Sequence, residues 1–446
     1  MKFFNSLKSR DLFLYSFVFI VAFFVTLLGT YICLPLNCDG VWLYGFGKNI
    51  VDGLIIYRDF SVITTPLYYF IEIIFIKLFG NYLISVDIFN SLLVASIVLM
   101  MFKIIKYKAF FVFPLILIFY PNGYNLFSLF WLMLILFLID KKLDNDYLIG
   151  FIVGLSFLTK QNIGFMLLIP ALFYSKKRLK TIICFVIPFL ILVIYLVYND
   201  ALYNFVDCCF LGLIDFGSKN YHHYCLIVFF EAFVLVYLIY VLFKSKFQNK
   251  EIFYILMFQI LIFPLMESYH FLVSFFPVVY LFLKSNKNKY VSYICGFSII
   301  WFTICLFILI NKEIHLEKDI LFLKNSGDLS FLMEVFHDYL DEVNNFYFTG
   351  YYGYLYKLYY GIPINHYDLW NEGNLGYNGI EEKINEVNQI CSNELCVFVA
   401  DSTAEKDEQN QASKFYFYIK DNYAKIGDYD IFDIYSNYNK LQNKKD

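Results

Sequence analysis

Long apolar segments separated by short polar breaks make up the first 311 residues of this chain. The first segment, Leu12–Leu34, follows three basic residues and is longer than the 7–15-residue core of a cleaved signal peptide. It is therefore interpreted as a retained membrane span with a cytoplasmic N-terminus, because basic residues flank the cytoplasmic ends of spans. After Ile310 no apolar run approaches the roughly 20 residues that cross a bilayer.

The balance of charged residues also changes near residue 311, where the long apolar segments end. Residues 1–311 carry 23 Lys and Arg against 15 Asp and Glu, whereas residues 312–446 carry 12 against 23. We therefore predict a transmembrane domain over 1–311 and an acidic extracytoplasmic domain over 312–446. Hydrophobic residues reach 60% and charged residues only 16%, against about 25% in soluble domains. This composition excludes a soluble enzyme, a nucleic-acid-binding protein and a disulfide-stabilised scaffold.

Basic clusters mark the cytoplasmic loops, so they determine whether the number of membrane crossings between two points of the chain is odd or even. Between the first span and the cluster at 103–108, an odd number of crossings is required, so only one of the segments 65–79 and 82–102 can span. The first is short and contains Pro66, Glu72 and Lys77. We therefore predict a juxtamembrane helix over 65–80, preceded by a first outer loop over 35–64.

The complete pattern predicts a polytopic α-helical membrane protein with about eleven spans. They cover residues 12–34, 82–102, 109–120, 125–139, 147–159, 162–174, 181–198, 223–243, 251–266, 269–283 and 290–311. An alternative with nine spans fuses the third to sixth into two kinked helices. We prefer eleven, because fusion would bury Lys160 near the membrane centre at a cost of roughly 2.5–3.5 kcal/mol.

The acidic C-terminal domain is predicted to be a small α/β domain. Its predicted helices cover 329–343, 380–390 and 412–423, and its predicted strands cover 346–348, 395–400 and 429–435. Of the ten cysteines, Cys391 and Cys396 can pair only in an oxidising compartment, and the sequence leaves that open.

Ionisable and polar residues predicted on the outer side are the candidates for chemistry, because such groups at a membrane edge are costly unless they function. Arg58 is the only arginine on that side. The other candidates are Asp39, Tyr57, Asp59, Tyr68, Tyr69, Asn122, Lys160, Gln161, Glu267 and His270.

The order of these residues along the chain resembles the GT-C superfamily of integral-membrane glycosyltransferases, of the protein mannosyltransferase and aminoarabinose transferase kind. The resemblance rests on Asp39 just after the first span, the segment Gly53–Phe60 with its Tyr-Arg-Asp-Phe, the stretch Pro66–Tyr69 and the later Leu158–Lys160. It covers about residues 12–175 and implies a GT-C-like fold.

The resemblance implies transfer of a hexose or pentose from a polyprenyl phosphate to an envelope glycopolymer, lipid or protein, with inversion. Asp39 would be the general base and Asp59 a second catalytic carboxylate. Arg58, Lys160 and His270 would bind the donor phosphate. The implied substrate contacts are Tyr57, Tyr68, Tyr69, Asn122, Gln161 and Glu267.

Two other classes of function remain open at the sequence level: a lipid-linked glycan transporter or flippase, and a non-enzymatic envelope assembly protein. Transporters typically show internal repeats and polar sites at the membrane centre, and neither is visible here. No cofactor is required by the pattern, and participation of a divalent metal is left open. The predicted location is the plasma membrane, with membrane lipids as neighbours and no nucleic-acid partner.

Overall fold

The structure is a computed structural model that describes residues 9–32, 38–80, 83–118, 123–213, 225–263, 268–286, 345–349, 379–402, 411–429 and 432–437, together with residues 296, 364 and 376. Within these residues, five helices are long and apolar enough to cross a membrane, and four shorter apolar helices accompany them. Large apolar side chains such as Phe13, Ile194 and Phe233 are 70% exposed or more. Such surfaces require lipid rather than water, so the chain is a multi-pass membrane protein.

The chain forms two compact units, the first from residues 1–47, 65–195 and 221–316 and the second from 48–64, 196–220 and 317–446. The helices before the C-terminal region are α1 Ser9–Ile32, α2 Cys38–Val51, α3 Leu67–Phe79, α4 Leu83–Ile105, α5 Ala109–Ile118, α6 Gly123–Asp140, α7 Asp146–Thr159, α8 Gln161–Tyr174, α9 Arg178–Tyr198, α10 Leu202–Val206, α11 Cys225–Lys244, α12 Lys250–Phe258 and α13 Ser268–Ser285. Helices lie in each of the first ten predicted spans and in the predicted juxtamembrane segment, although in the ninth span the α-helix ends at Phe258 and a 3-10 turn follows over Gln259–Ile262. The number of crossings stays a prediction. Apart from Gly296, the predicted span 290–311 lies outside the described residues.

Helices α7 and α8 fold back on each other at Lys160. A Cβ atom placed on Gly164 would lie 2.2 Å from the Cα atom of Phe157. Seven residues of continuous helix would separate these positions by about 10 Å, so the pair is a hairpin and not one kinked helix. The nine-span alternative is therefore wrong for this pair.

Helix α7 packs closely against α9 through two glycines. Cβ atoms on Gly150 and Gly154 would lie 2.4 Å from the Thr181 carbonyl oxygen and 2.6 Å from the Phe185 carbonyl oxygen. Small residues four apart let the backbones of membrane helices approach in this way. The contact fixes α7, and with it the backbone that leads to Lys160.

The segment predicted as the first outer loop contains a helix that the sequence analysis did not predict. Helix α2 occupies Cys38–Val51 in the first half of this segment. Its three glycines lower helix propensity, which makes the segment look like a loop. Trp42, Leu43 and Phe46 are nevertheless buried, and this packing outweighs the propensity because tertiary burial contributes more than local preference.

The second unit contains a four-stranded sheet. Its strands are β1 Asn345–Thr349, β2 Cys396–Asp401, β3 Ala424–Tyr429 and β4 Phe432–Ser436, in the order β1-β2-β4-β3. β1 is parallel to β2, and the other two pairs are antiparallel. The described residues of this region also include helices α14 Gly379–Cys391 and α15 Gln411–Asn422.

The predicted elements of this region are confirmed for the strands at 346–348 and 395–400 and for the helices at 380–390 and 412–423. The strand predicted at 429–435 is confirmed over most of its length by β4, and the antiparallel strand β3 that precedes it was not predicted. The sequence analysis missed β3 because Ile426 is the only large apolar residue in Ala424–Asp428, too little for a clear alternation of apolar and polar positions. The predicted helix at 329–343 lies outside the described residues.

A disulfide joins Cys391 at the end of α14 to Cys396 at the start of β2. Both residues belong to the buried core of this region, with Phe398, Phe415 and Ile419. The side chain of Asn437 accepts a hydrogen bond from the Cys396 amide at 2.9 Å and donates one to the Glu394 carbonyl at 2.8 Å. The six-residue loop is therefore closed both covalently and by hydrogen bonds.

Candidate functional site

Asp39 lies in the first turn of α2. Two other predicted site residues, Asn122 and Glu267, lie outside the described residues. The remaining predicted site residues fall into two groups, one in each compact unit.

In the first unit, Lys160 is the extended residue between α7 and α8, with φ −153° and ψ 111°. Its amide donates to the Ser156 carbonyl at 2.9 Å. Residues from other elements also hold the end of α7. The Thr65 hydroxyl donates to the Phe157 carbonyl at 2.7 Å, and the Trp131 indole donates to the Thr159 hydroxyl at 2.9 Å. These contacts come from α6 and the segment before α3, so several elements fix the backbone of Lys160.

The side chain of Lys160 is the first of three connected polar side chains, Lys160, Asn125 and His270, which we call the lysine cluster. Lys160 Nζ donates to Asn125 Oδ1 at 2.7 Å, and Asn125 Nδ2 lies 3.4 Å from His270 Nε2. An ammonium group only donates, so the amide oxygen must face Lys160 and the amide nitrogen must donate to His270. His270 Nε2 then accepts, which places the proton of a neutral imidazole on Nδ1.

Within the lysine cluster, Asn125 is fully inaccessible and His270 is 6% exposed, whereas Lys160 is half-buried. The Lys160 ammonium also lies 5.2 Å from the centre of the Tyr124 ring, which stabilises a cation. A fixed ammonium at a protein site of low polarity can stabilise an anion such as a phosphate far better than in water. The structure thus brings Lys160 and His270 together through Asn125, a residue that sequence patterns mark only as a polar break.

The three other predicted substrate contacts of this unit are buried: Tyr68 and Tyr69 on α3 and Gln161 at the start of α8. The Tyr68 hydroxyl donates to Asn90 Oδ1 at 3.3 Å. It also packs onto Gly123, where a Cβ atom would lie 2.0 Å from the hydroxyl oxygen. Their contact with substrate stays a prediction.

In the second unit, Arg58 and Asp59 form a two-pronged ion pair. Arg58 Nε lies 2.8 Å from Asp59 Oδ1, and an Arg58 terminal nitrogen lies 2.9 Å from Asp59 Oδ2. Asp59 Oδ2 also accepts from the Ile55 amide at 2.8 Å. The hydrogen bond from Arg58 lowers the pKa of the Asp59 carboxyl, and the Ile55 amide adds to that effect. Asp59 thus stays ionised and holds the guanidinium plane of Arg58.

Tyr57, the preceding residue, is completely buried. Its hydroxyl donates to the Thr64 carbonyl at 2.5 Å, and its own carbonyl accepts from Asn204 Nδ2 at 2.8 Å. Asn204 was not found by sequence reasoning, since nothing in the pattern around α10 links it to a loop about 150 residues earlier. The predicted contact of Tyr57 with substrate is untested.

Metal binding was left open by the sequence. Among the residues that the structure describes, no group of three His, Cys, Asp or Glu side chains is arranged to hold a metal ion.

Comparison with solved structures identifies the architecture. The structure matches the crystal structure of ArnT from Cupriavidus metallidurans bound to undecaprenyl phosphate, with a TM-score of 0.53, 11% sequence identity and coverage of 97% of this chain and 98% of that chain. This chain has the ArnT fold. The GT-C resemblance drawn from the sequence is thereby confirmed at the level of the fold, and the ArnT fold includes the C-terminal region, for which the sequence resemblance gave no assignment. No protein-family model and no curated protein matches this sequence.

Proposed function

We propose that this protein is a membrane glycosyltransferase that moves a sugar from a polyprenyl-phosphate donor to an acceptor on the extracytoplasmic side. One observation carries the proposal: the chain shares its fold, over 97% of its length, with ArnT, which was crystallised bound to undecaprenyl phosphate. A lipid-linked phosphate is a ligand that suits apolar helices flanked by fixed cations.

The lysine cluster supports the donor assignment. When the bond between sugar and phosphate breaks, the departing phosphate gains negative charge, and preorganised cations stabilise that charge. Lys160 supplies a point charge whose position is fixed by Asn125. Arg58 supplies a planar fork suited to two phosphate oxygens, and Asp59 keeps that fork oriented.

Asp39 is proposed as the general base that removes the proton of the acceptor hydroxyl. Direct attack of that hydroxyl on the anomeric carbon inverts its configuration. Asp59 is assigned to orienting Arg58 and to binding sugar hydroxyls, and the buried aromatic residues near α3 to contacts with the substrate. An envelope glycopolymer, lipid or protein is the proposed acceptor.

The disulfide supports an extracytoplasmic C-terminal domain and a plasma-membrane location. Cys391 and Cys396 are joined, and structural disulfides persist mainly in oxidising compartments. With a cytoplasmic N-terminus, this orientation agrees with the odd number of crossings that the basic loops predict.

The base assignment is tested by transfer from undecaprenyl-phosphate hexose and pentose donors, carrying a radiolabel in the sugar, to membranes of the source cell. Asp39→Asn is expected to lower the transfer rate about 10²–10⁴-fold, the usual contribution of a general base. The matched control is Asp52→Asn, because Asp52 lies just after α2 and pairs with Lys48, and it should retain the activity.

Full activity in Asp39→Asn would overturn the base assignment. Movement of the labelled lipid across vesicles without sugar transfer in the parent protein would overturn the enzyme assignment and favour the flippase. Equal melting temperatures of the variants and the parent protein show that loss of activity is not loss of folding.

A further inference from the structure

Tyr57 and the segment after α10, both in the second unit, have unusual backbone conformations. Tyr57 has φ +64°, in the left-handed region, which is a rare conformation for a bulky residue. Residues Asp207–Leu211 form a π-helical turn directly after α10. Strained residues persist only where their surroundings fix them, and such residues and π-helical turns concentrate at functional sites.

The two features meet. Asn204, one turn before the π-helical turn, donates to the Tyr57 carbonyl at 2.8 Å. Within the turn, the Cys209 thiol lies 3.4 Å from the Tyr57 hydroxyl and 3.6 Å from the Val62 carbonyl. The Phe205 ring packs edge-on against the Tyr57 ring, with 5.1 Å between centres. Tyr57 is therefore held at its carbonyl, its ring and its hydroxyl by one short segment.

The left-handed conformation of Tyr57 shapes a tight turn that ends in the ion pair. The Tyr57 amide donates to the Phe60 carbonyl at 2.6 Å, and the Arg58 and Asp59 amides both donate to the Ile55 carbonyl, at 3.1 Å and 2.9 Å. A right-handed Tyr57 would break this pattern and redirect the next two side chains. The direction of the Arg58 side chain thus depends on the conformation of Tyr57.

We propose that Tyr57 is a positioning residue, held in its left-handed conformation by Asn204 and the π-helical turn, that aims the Arg58–Asp59 pair at the donor phosphate. The proposal rests on the phosphate role given to Arg58 under the proposed function. Tyr57 acts through Arg58 and does not touch the phosphate itself.

The C-terminal region supports the same arrangement. A Cβ atom on Gly376 would lie 2.2 Å from Asp207 Oδ2, and one on Gly212 would lie 3.0 Å from the Gly376 Cα atom. Gly376 also has φ +79°. Both the lack of space for a side chain and the left-handed backbone therefore favour glycine at this position. The backbone of residue 376 therefore lies directly against the π-helical turn that holds Tyr57.

The first test measures binding of undecaprenyl phosphate to the purified full-length protein in detergent. Asn204→Ala is expected to weaken binding about 3–10-fold, which corresponds to one hydrogen bond. Arg58→Ala is expected to weaken it about 10–100-fold. The double variant should bind within about twofold of Arg58→Ala alone, because Asn204 acts only through Arg58. Tyr203→Ala, at a 69% exposed position on the same helix, is the control and should bind normally.

The second test measures the stability of the loop around Tyr57 in the absence of ligand. Hydrogen exchange of the peptide covering residues 55–64 should accelerate in Asn204→Ala and stay unchanged in Tyr203→Ala. If Asn204→Ala does not fold, Tyr57→Phe replaces it, since it keeps the ring and removes the hydrogen bond to Thr64. Gly376→Ala should also accelerate exchange. Gly427→Ala should not, because a Cβ atom there would make only an ordinary contact with an Ile434 methyl group at 3.7 Å.

The outcomes separate this proposal from the one on which it rests. Unchanged binding in Arg58→Ala overturns the phosphate role of Arg58 and this proposal together. A strong effect of Arg58→Ala with no effect of Asn204→Ala overturns this proposal alone. Effects that multiply in the double variant, or unchanged exchange of residues 55–64, also overturn it, because Asn204 would then act elsewhere.

Discussion

At the scale of single residues, Glu72 is, like Glu231, a buried carboxylate without a polar partner among the described residues. It is fully buried on α3, and neither of its carboxylate oxygens has a hydrogen-bond partner in the part of the chain that the structure describes. It lies against α2, where a Cβ atom on Gly47 would be 2.8 Å from Glu72 Oε2. Burial raises the pKa of this carboxyl well above its usual range, which favours the neutral acid over the carboxylate.

Replacing this acid by an apolar side chain of similar length should stabilise the protein. Glu72→Met removes two buried oxygens without opening a large cavity, and an unpaired buried polar group costs about 1–3 kcal/mol. We expect the midpoint of thermal unfolding in detergent to rise.

The matched control is Glu251→Met. Glu251 is also buried, but it accepts from Lys284 Nζ at 2.6 Å, so its replacement leaves a cation without that partner and should lower the midpoint. A lower midpoint in Glu72→Met would show that the Glu72 carboxyl makes a stabilising interaction.

At the scale of elements, the α7–α8 hairpin decides where Lys160 lies. The two helices approach closely at Gly164, where a Cβ atom would meet the Phe157 backbone. The backbone cannot move aside as a flexible side chain can, and the Phe157 carbonyl is already held by Thr65. The hairpin therefore depends on the absence of a side chain at this position.

Gly164→Ala is expected to destabilise the protein by at least about 1–3 kcal/mol, the usual cost of overpacking. Gly29→Ala is the comparison, because nothing lies within 4 Å of a Cβ atom at Gly29 on α1. Thermal unfolding of both variants checks this. Equal midpoints for the two variants would contradict the tight hairpin.

Local signals predicted most helices correctly, and they failed where long-range packing outweighs local preference. The break at Lys160 was predictable, because a buried lysine between two apolar runs is costly in a continuous span. Helix α2 was not predictable from the sequence, because its glycines indicate a loop. Only the burial of Trp42 and Phe46 explains the helix. Neither the bond between Asn125 and His270, 145 residues apart, nor the support of Tyr57 by Asn204 has a local signal.

At the scale of the whole molecule, the orientation in the membrane remains a prediction that the disulfide makes testable. A single cysteine introduced at the exposed Asp421 on α15 should react with a membrane-impermeant maleimide in intact cells, because the domain that holds the disulfide should face an oxidising compartment. Lys176→Cys, at an exposed position between α8 and α9 in a predicted cytoplasmic loop, should react only after lysis. The parent chain gives the background, and the reverse pattern would contradict the predicted topology.

The second unit also has a consequence for biosynthesis. It is assembled from residues 48–64, 196–220 and 317–446, and the Asn49 side chain donates to the Ile364 carbonyl at 2.6 Å across 315 residues of sequence. Contacts this distant along the chain form late, since the intervening segments must be synthesised first. During synthesis, the turn that carries Arg58 therefore cannot gain its contacts with the C-terminal region until most of the chain has left the ribosome. A chain truncated before Gly376 should lack the contact between residue 376 and the π-helical turn.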